Sequence, residues 1–105
     1  MITVMNTTKW QELRIAMHEL TSNRPKWRTK CVTNGYISEW DGEWYYHFSE
    51  GGFKEIEWVE IKVENEEQKR MVLKELKSIH LPGHEVDVGY KVYGYVQSGQ
   101  LVDYI

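Results

Sequence analysis

The fold turns on one stretch, Lys26-Trp27-Arg28-Thr29-Lys30-Cys31-Val32-Thr33-Asn34-Gly35-Tyr36-Ile37-Ser38-Glu39-Trp40-Asp41-Gly42-Glu43-Trp44-Tyr45-Tyr46-His47-Phe48. Asn34-Gly35 and Asp41-Gly42 are the dipeptides best suited to two-residue hairpin turns, because both central positions there need positive φ. Read in this way they delimit three antiparallel strands, 27–33, 36–40 and 43–48. Two-residue turns then set Lys30 opposite Glu39, Arg28 opposite Asp41, Tyr36 opposite His47 and Ser38 opposite Tyr45. Opposite charges facing each other across strands are mildly stabilising. Alternation puts Val32, Ile37, Trp44, Tyr46 and Phe48 on one face, and Trp27, Cys31, Tyr36, Trp40, Tyr45 and His47 on the other. Neither face reads as solvent, so either the sheet is covered twice or a bulge shifts the phase of one strand.

Outward from this centre the pattern is helix, strand, helix, strands. Upstream, Trp10, Leu13, Met17 and Leu20 fall at helical spacing, and Thr8 with Gln11 has the form of a capping box, which predicts a helix over 8–20. Pro25 follows its end. Downstream, Ser49-Glu50-Gly51-Gly52 is a loop and 54–63 a fourth strand. Ile56 and Trp58 share one face there, while Val59, Ile61 and Val63 share the other, so a bulge is expected near Trp58-Val59. Asn65 caps a second helix whose stripe is Val72, Leu73, Leu76 and Ile79, with Glu66 and Glu67 at its positive end. Leu81-Pro82-Gly83 stops it. Val86, Val88, Tyr90 and Val92 alternate as a fifth strand, and Gly94 and Ser98-Gly99 punctuate a last hairpin closing in Leu101–Ile105. The expectation is one α+β domain over residues 1–105, mainly antiparallel, with two helices in the order α-β-β-β-β-α-β-β.

Composition narrows the class. A chain of 105 residues has room for one core, and 41% hydrophobic with 28% charged residues is ordinary for a globular protein. No apolar run approaches a bilayer span, and the start lacks the basic and apolar regions of a signal peptide. Met5 is an alternative start, with Met1–Val4 a short extension. The lone Cys31 has no internal disulfide partner, which fits a reducing compartment, so a cytoplasmic location is expected. The net charge of −3 is polarised: residues 1–38 tally +4, residues 39–67 tally −8 and the remainder +1. Two arrangements give such a split, neutralisation between neighbouring strands or an acidic face for a basic partner.

Several runs identify the chain further: Asn6-Thr7-Thr8-Lys9-Trp10, Pro25-Lys26-Trp27-Arg28-Thr29-Lys30, Asn34-Gly35-Tyr36-Ile37, Trp40-Asp41-Gly42-Glu43-Trp44, Ile56-Glu57-Trp58-Val59-Glu60-Ile61 and Val92-Tyr93-Gly94-Tyr95-Val96. Through them it resembles, over nearly its whole length, a family of short bacterial proteins of unknown function. The resemblance implies no activity and no catalytic residue.

Catalytic signatures are thin. His80-x-x-x-His84 has a zinc-ligand spacing, but Pro82-Gly83 breaks the helix between them, and no metal or cofactor is expected. Cys31 reads as a structural thiol, since His47 reaches it only if both hairpin pairings hold. The carboxylates Glu39, Asp41, Glu43, Glu55, Glu57 and Glu60 suit glycoside hydrolysis only as a pair of readable spacing, which the pattern lacks. Trp27, Arg28 and Lys30 mimic a single-strand nucleic-acid groove, yet the acidic surroundings argue against nucleic acid. A non-catalytic protein-binding module, of immunity or antagonist type, is expected, using Asp41, Glu43, Glu55, Glu57 and Glu60 for a basic protein and Trp40 or Tyr45 as anchor. The alternatives are a small-ligand or carbohydrate pocket among Tyr36, Trp40, Tyr45 and His47, and a structural homodimer without ligand.

Overall fold

Two asparagines start the two helices. In the computed structural model, which describes residues 1–105, Asn6 Oδ1 accepts the Lys9 N–H at 2.8 Å and opens α1 (Thr7–His18). The cap is thus Asn6, and the expected box on Thr8 does not form. Asn65 Oδ1 accepts the Gln68 N–H at 2.9 Å and opens α2 (Glu66–Ile79), as expected. Helix α2 ends at His80, which adopts the left-handed conformation with φ 63°. A non-glycine residue there is strained, and two contacts hold it: Lys9 Nζ donates to the His80 carbonyl at 2.9 Å, and the Tyr104 ring stacks on the imidazole at 4.8 Å.

The strands are β1 (Ile2–Thr3), β2 (Lys26–Cys31), β3 (Ile56–Lys62), β4 (Gly83–Val86), β5 (Gly89–Tyr93) and β6 (Tyr95–Val96). Four of them form one antiparallel sheet in the order β2-β3-β5-β4, and β1 pairs with β6 beside it. The α+β class with two helices and antiparallel sheets therefore holds. Because paired residues share a face, the register sorts the side chains. Trp27, Ile61 and Tyr90 align on the inner face, as do Val59 and Val92. They join Trp10, Leu13 and Met17 of α1 and Val72 and Leu76 of α2 in one core. The outer face carries a row of Arg28, Glu60, Lys91 and His84.

The central stretch departs from the sequence reading. Two isolated bridges, Lys30↔Ile37 and Trp27↔Asp41, and a hydrogen bond from Thr29 N–H to Ser38 Oγ at 3.0 Å tie 36–41 to β2. Cys31 N–H donates to Tyr36 O at 2.8 Å and Gly35 N–H to Cys31 O at 2.9 Å, so the first loop has four residues, 32–35, instead of two. The longer loop shifts the register, and neither Lys30–Glu39 nor Arg28–Asp41 forms. Residues 44–50 are turns, not a strand, and the Tyr36–His47 and Ser38–Tyr45 pairs are absent. The cause is local. Asp41 Oδ1 accepts the Glu43 N–H at 2.8 Å, and the Glu43 carboxylate accepts the N–H groups of Tyr45, Tyr46 and His47 at 3.1, 2.8 and 2.7 Å. Side chains that capture these donors leave none for a ladder.

Smaller shifts follow. The bulge falls at Glu57, where the register passes from Lys30↔Trp58 to Cys31↔Ile56. It turns Ile56 into the core with Val59 and Ile61 and leaves Trp58 outside that cluster. The alternating run at 86–92 is a hairpin, β4 and β5, turning at Asp87-Val88. Leu101–Ile105 is not a hairpin arm; it folds back so that Ile105 N–H donates to Leu81 O and Gly83 N–H to Asp103 O, both at 2.9 Å. No helix is long and apolar enough to cross a membrane.

Candidate functional site

The excursion between β2 and β3, residues 32–55, holds most of the residues singled out from the sequence. Its base is a nested set of aromatic rings. Trp44 is fully buried and its indole N–H donates to Pro25 O at 2.9 Å; Phe48 lies 4.7 Å from it and 5.2 Å from Trp27. Trp27 in turn donates its indole N–H to Glu43 O at 3.0 Å. These contacts fix the arm to the core while the residues between them face outward. Tyr46 is 72% exposed and Tyr36 64%, and Ile37 and Tyr45 are exposed beside them.

Asp41, Glu43 and His47 come together, but as structural caps. Three backbone N–H groups stabilise the ionised Glu43 carboxylate and hold its pKa below the ordinary value, the His47 N–H contributing most. Asp41 accepts from the Glu43 N–H and lies 2.8 Å from His47 Nδ1, a hydrogen bond that raises the imidazole pKa. The Glu43 carboxylate, held by these three backbone donors, caps the turn.

Tyr45 belongs to a different surface, since it packs on α1. Arg14 stands 4.1 Å over its ring and donates to its carbonyl at 2.6 Å, and His18 lies 5.1 Å away. Trp40 sits over the outer sheet face, under Arg28 at 4.6 Å and Lys62 at 5.5 Å. The cleft that His47 lines is formed with Trp27, Cys31, Phe48, Glu50 and Glu55 and contains none of Tyr36, Trp40 or Tyr45. Its volume of about 210 Å³ is below the roughly 300 Å³ at which ligand pockets usually begin.

The acidic residues of β3 are engaged. Glu60 accepts from Arg28 Nε at 2.7 Å and lies 3.7 Å from Lys91 Nζ, and Glu57 lies 3.7 Å from Lys30 Nζ. Neutralisation between neighbouring strands therefore accounts for these two carboxylates, through β2–β3 rather than through the first loop. Glu55 accepts from Thr33 Oγ1 at 2.7 Å, with the Cys31 thiol 3.5 Å away. The thiol and His47 share the cleft, but each is bonded elsewhere. His80 and His84 stand apart, one stacked on Tyr104 and the other 3.0 Å from the Tyr93 hydroxyl, and no three His, Cys, Asp or Glu side chains are grouped to hold a metal ion. Arg14 and Lys91 are not among the residues the sequence singles out, and only the register could have placed Lys91 beside Glu60.

Residues 1–99 match the model of a family of unknown function (DUF6678), and the chain belongs to that family. Neither a curated protein nor a solved structure matches it.

Proposed function

We propose that the chain is a non-catalytic protein-binding module whose contact surface is the arm 36–55, and that its partner is a basic protein. The observation that carries the reading is where exposed apolar side chains and unneutralised acids coincide. Tyr36, Ile37, Tyr45 and Tyr46 account for four of the nine large hydrophobic residues exposed in the molecule. Between and beside them stand Glu39, Glu50 and Glu55, none of which makes an ion pair, whereas Glu57 and Glu60 are paired within the sheet. Tyrosines rimmed by charge are the usual anchors of protein contacts, and acids steer a basic partner onto them. An immunity or antagonist role fits such a surface, with the arm covering a basic site on the partner. Relative to the sequence expectation, Glu57 and Glu60 of β3 drop out of the acidic contact, which is confined to the arm.

The test is retention of basic proteins from a lysate of the source organism by three tagged forms at low and high salt. One is wild type, one carries Glu39→Lys, Glu50→Lys and Tyr46→Ala, and one carries Glu57→Gln and Glu60→Gln. The expected result is a partner held at low salt by wild type and by the sheet variant but lost by the arm variant. Equal retention by all three removes the arm from the contact.

A further inference from the structure

We infer that the outer face of the four-stranded sheet is a second binding surface, and that it takes single-stranded nucleic acid. The inference does not rest on the arm's being a contact surface for a basic protein. Net charge and the acidity of 39–67 argue against a nucleic-acid partner, but the fold re-sorts those charges by strand register. Lys26, Arg28 and Lys30 of β2, Lys62 of β3 and Lys91 of β5 all fall on the outer face, against Glu57 and Glu60. Five cations face two carboxylates, so this side is net positive in a chain whose total is −3. Glu39, exposed on the bridged segment beside β2, marks its acidic edge.

Charge alone would fit any polyanion; the aromatic rings select among them. Trp58 and Tyr93 are cross-strand neighbours on the two central strands, β3 and β5. Lys91 Nζ lies 4.4 Å over the Trp58 ring, which is only 8% exposed, and Arg28 and Lys62 cover the half-buried Trp40. Each indole thus holds a cation on its face. Trp58 is too buried to take a base, but a base can displace the cation from the half-buried Trp40, and the released cation then meets the adjoining phosphate. Stacking on a ring and neutralising a phosphate are the two contacts that single-strand binders combine. Tyr93, half-buried on the central strand β5, is the ring of the sheet itself within reach of a second base. An acidic peptide would use the cations but has no use for the rings. Beyond β5 the face continues past His84 and Tyr93 into a cleft of about 220 Å³ bounded by Gln100 and Asp103 of the C-terminal segment, which leaves room for the strand to run off the sheet.

The probe is a fluorescein-labelled oligouridylate of about ten nucleotides, within the footprint of single-strand binders, followed by anisotropy against the full chain. Binding through three phosphates weakens about 20-fold between about 50 and 200 mM salt. Lys62→Glu with Lys91→Glu is expected to abolish measurable binding and Trp40→Leu to weaken it about tenfold at an unchanged salt slope. Far-UV circular dichroism checks that each variant is folded, and the arm variant Glu39→Lys, Glu50→Lys, Tyr46→Ala is expected to bind at least as tightly as wild type. Absence of binding at the lower salt overturns the inference, as does an unchanged affinity in the folded lysine variant. Displacement by polyglutamate at equal charge concentration assigns the face to acidic polypeptides and overturns it too.

Discussion

Residues 36–40 with 43–48, and residues 86–92, read from the sequence as strand-forming segments, and only the second stretch, within the hairpin 83–93, lies in paired strands. In 83–93 four successive pairs join β4 to β5, and two glycines permit close backbone approach: a Cβ at Gly83 would lie 2.0 Å from Lys91 O, and one at Gly89 would lie 2.2 Å from Ile61 O. In 36–48 two isolated bridges are all the strand pairing that remains, because Asp41 and Glu43 hold four backbone N–H groups between them. The contrast shows that a turn dipeptide permits a hairpin without imposing one. Carboxylates at the turn, placed to accept from the next few amides, tip the balance toward a capped turn.

The sharpest way to break this contrast is to treat Trp44 and Tyr46 as neighbours on one strand face, where strict alternation would put them. The structure separates them, Trp44 in the core and Tyr46 in solvent. Trp44→Ala is expected to cost about 3–5 kcal/mol in urea unfolding, and Tyr46→Ala to stay within about 0.5 kcal/mol of wild type. Similar losses at both positions would restore the strand.

Next in size is a pair of glycines. Gly89→Ala should cost about 1–3 kcal/mol, since the new methyl must push β5 from β3. Gly42 lies outside the left-handed region with open space around its Cα. Gly42→Ala is therefore expected to be neutral or slightly stabilising, whereas a two-residue hairpin at Asp41-Gly42 would make it costly.

Much of the rest was legible in particular residues. Asn65, the Val72–Leu76 stripe and the stop at Leu81-Pro82 announced α2 in full, because a helix declares itself through contacts within a few residues. The class of the fold and the antiparallel sheet followed from the same kind of signal. What escaped was decided at longer range or by competition. The bulge was placed at Trp58-Val59 and lies at Glu57, one residue earlier, because it is set by where Cys31 meets Ile56 across the sheet. Trp40, Tyr45 and His47 were gathered into one pocket by assumed pairings; the capped turn sends them to the outer sheet face, to α1 and to the cleft beside Cys31. The partners of Glu57 and Glu60 likewise depend on β2–β3 pairing across a gap of more than twenty residues, for which the sequence carries no local mark.

Smaller effects sharpen the picture of the caps. Because the Glu43 pKa is lowered in the folded chain, its stabilisation is present above the ordinary value of 4.5 and is lost as pH falls through the folded-state value. Glu43→Gln should therefore unfold at lower urea than wild type at neutral pH, with the gap closing in acid; a gap independent of pH would contradict the cap. His47 is raised by Asp41, so its contribution is present below 6.5 and fades as pH rises through the folded-state value. An NMR titration should find the His47 midpoint above 6.5 in wild type and nearer 6.5 in Asp41→Asn.

The claim that the arm is the contact surface is tested most directly by amide hydrogen exchange on the chain alone and with the basic protein it retains. Slowed exchange concentrated in residues 36–55, with β4 and β5 unchanged, is the expected result. Protection confined to 83–93, with the arm exchanging as freely as before, would contradict it.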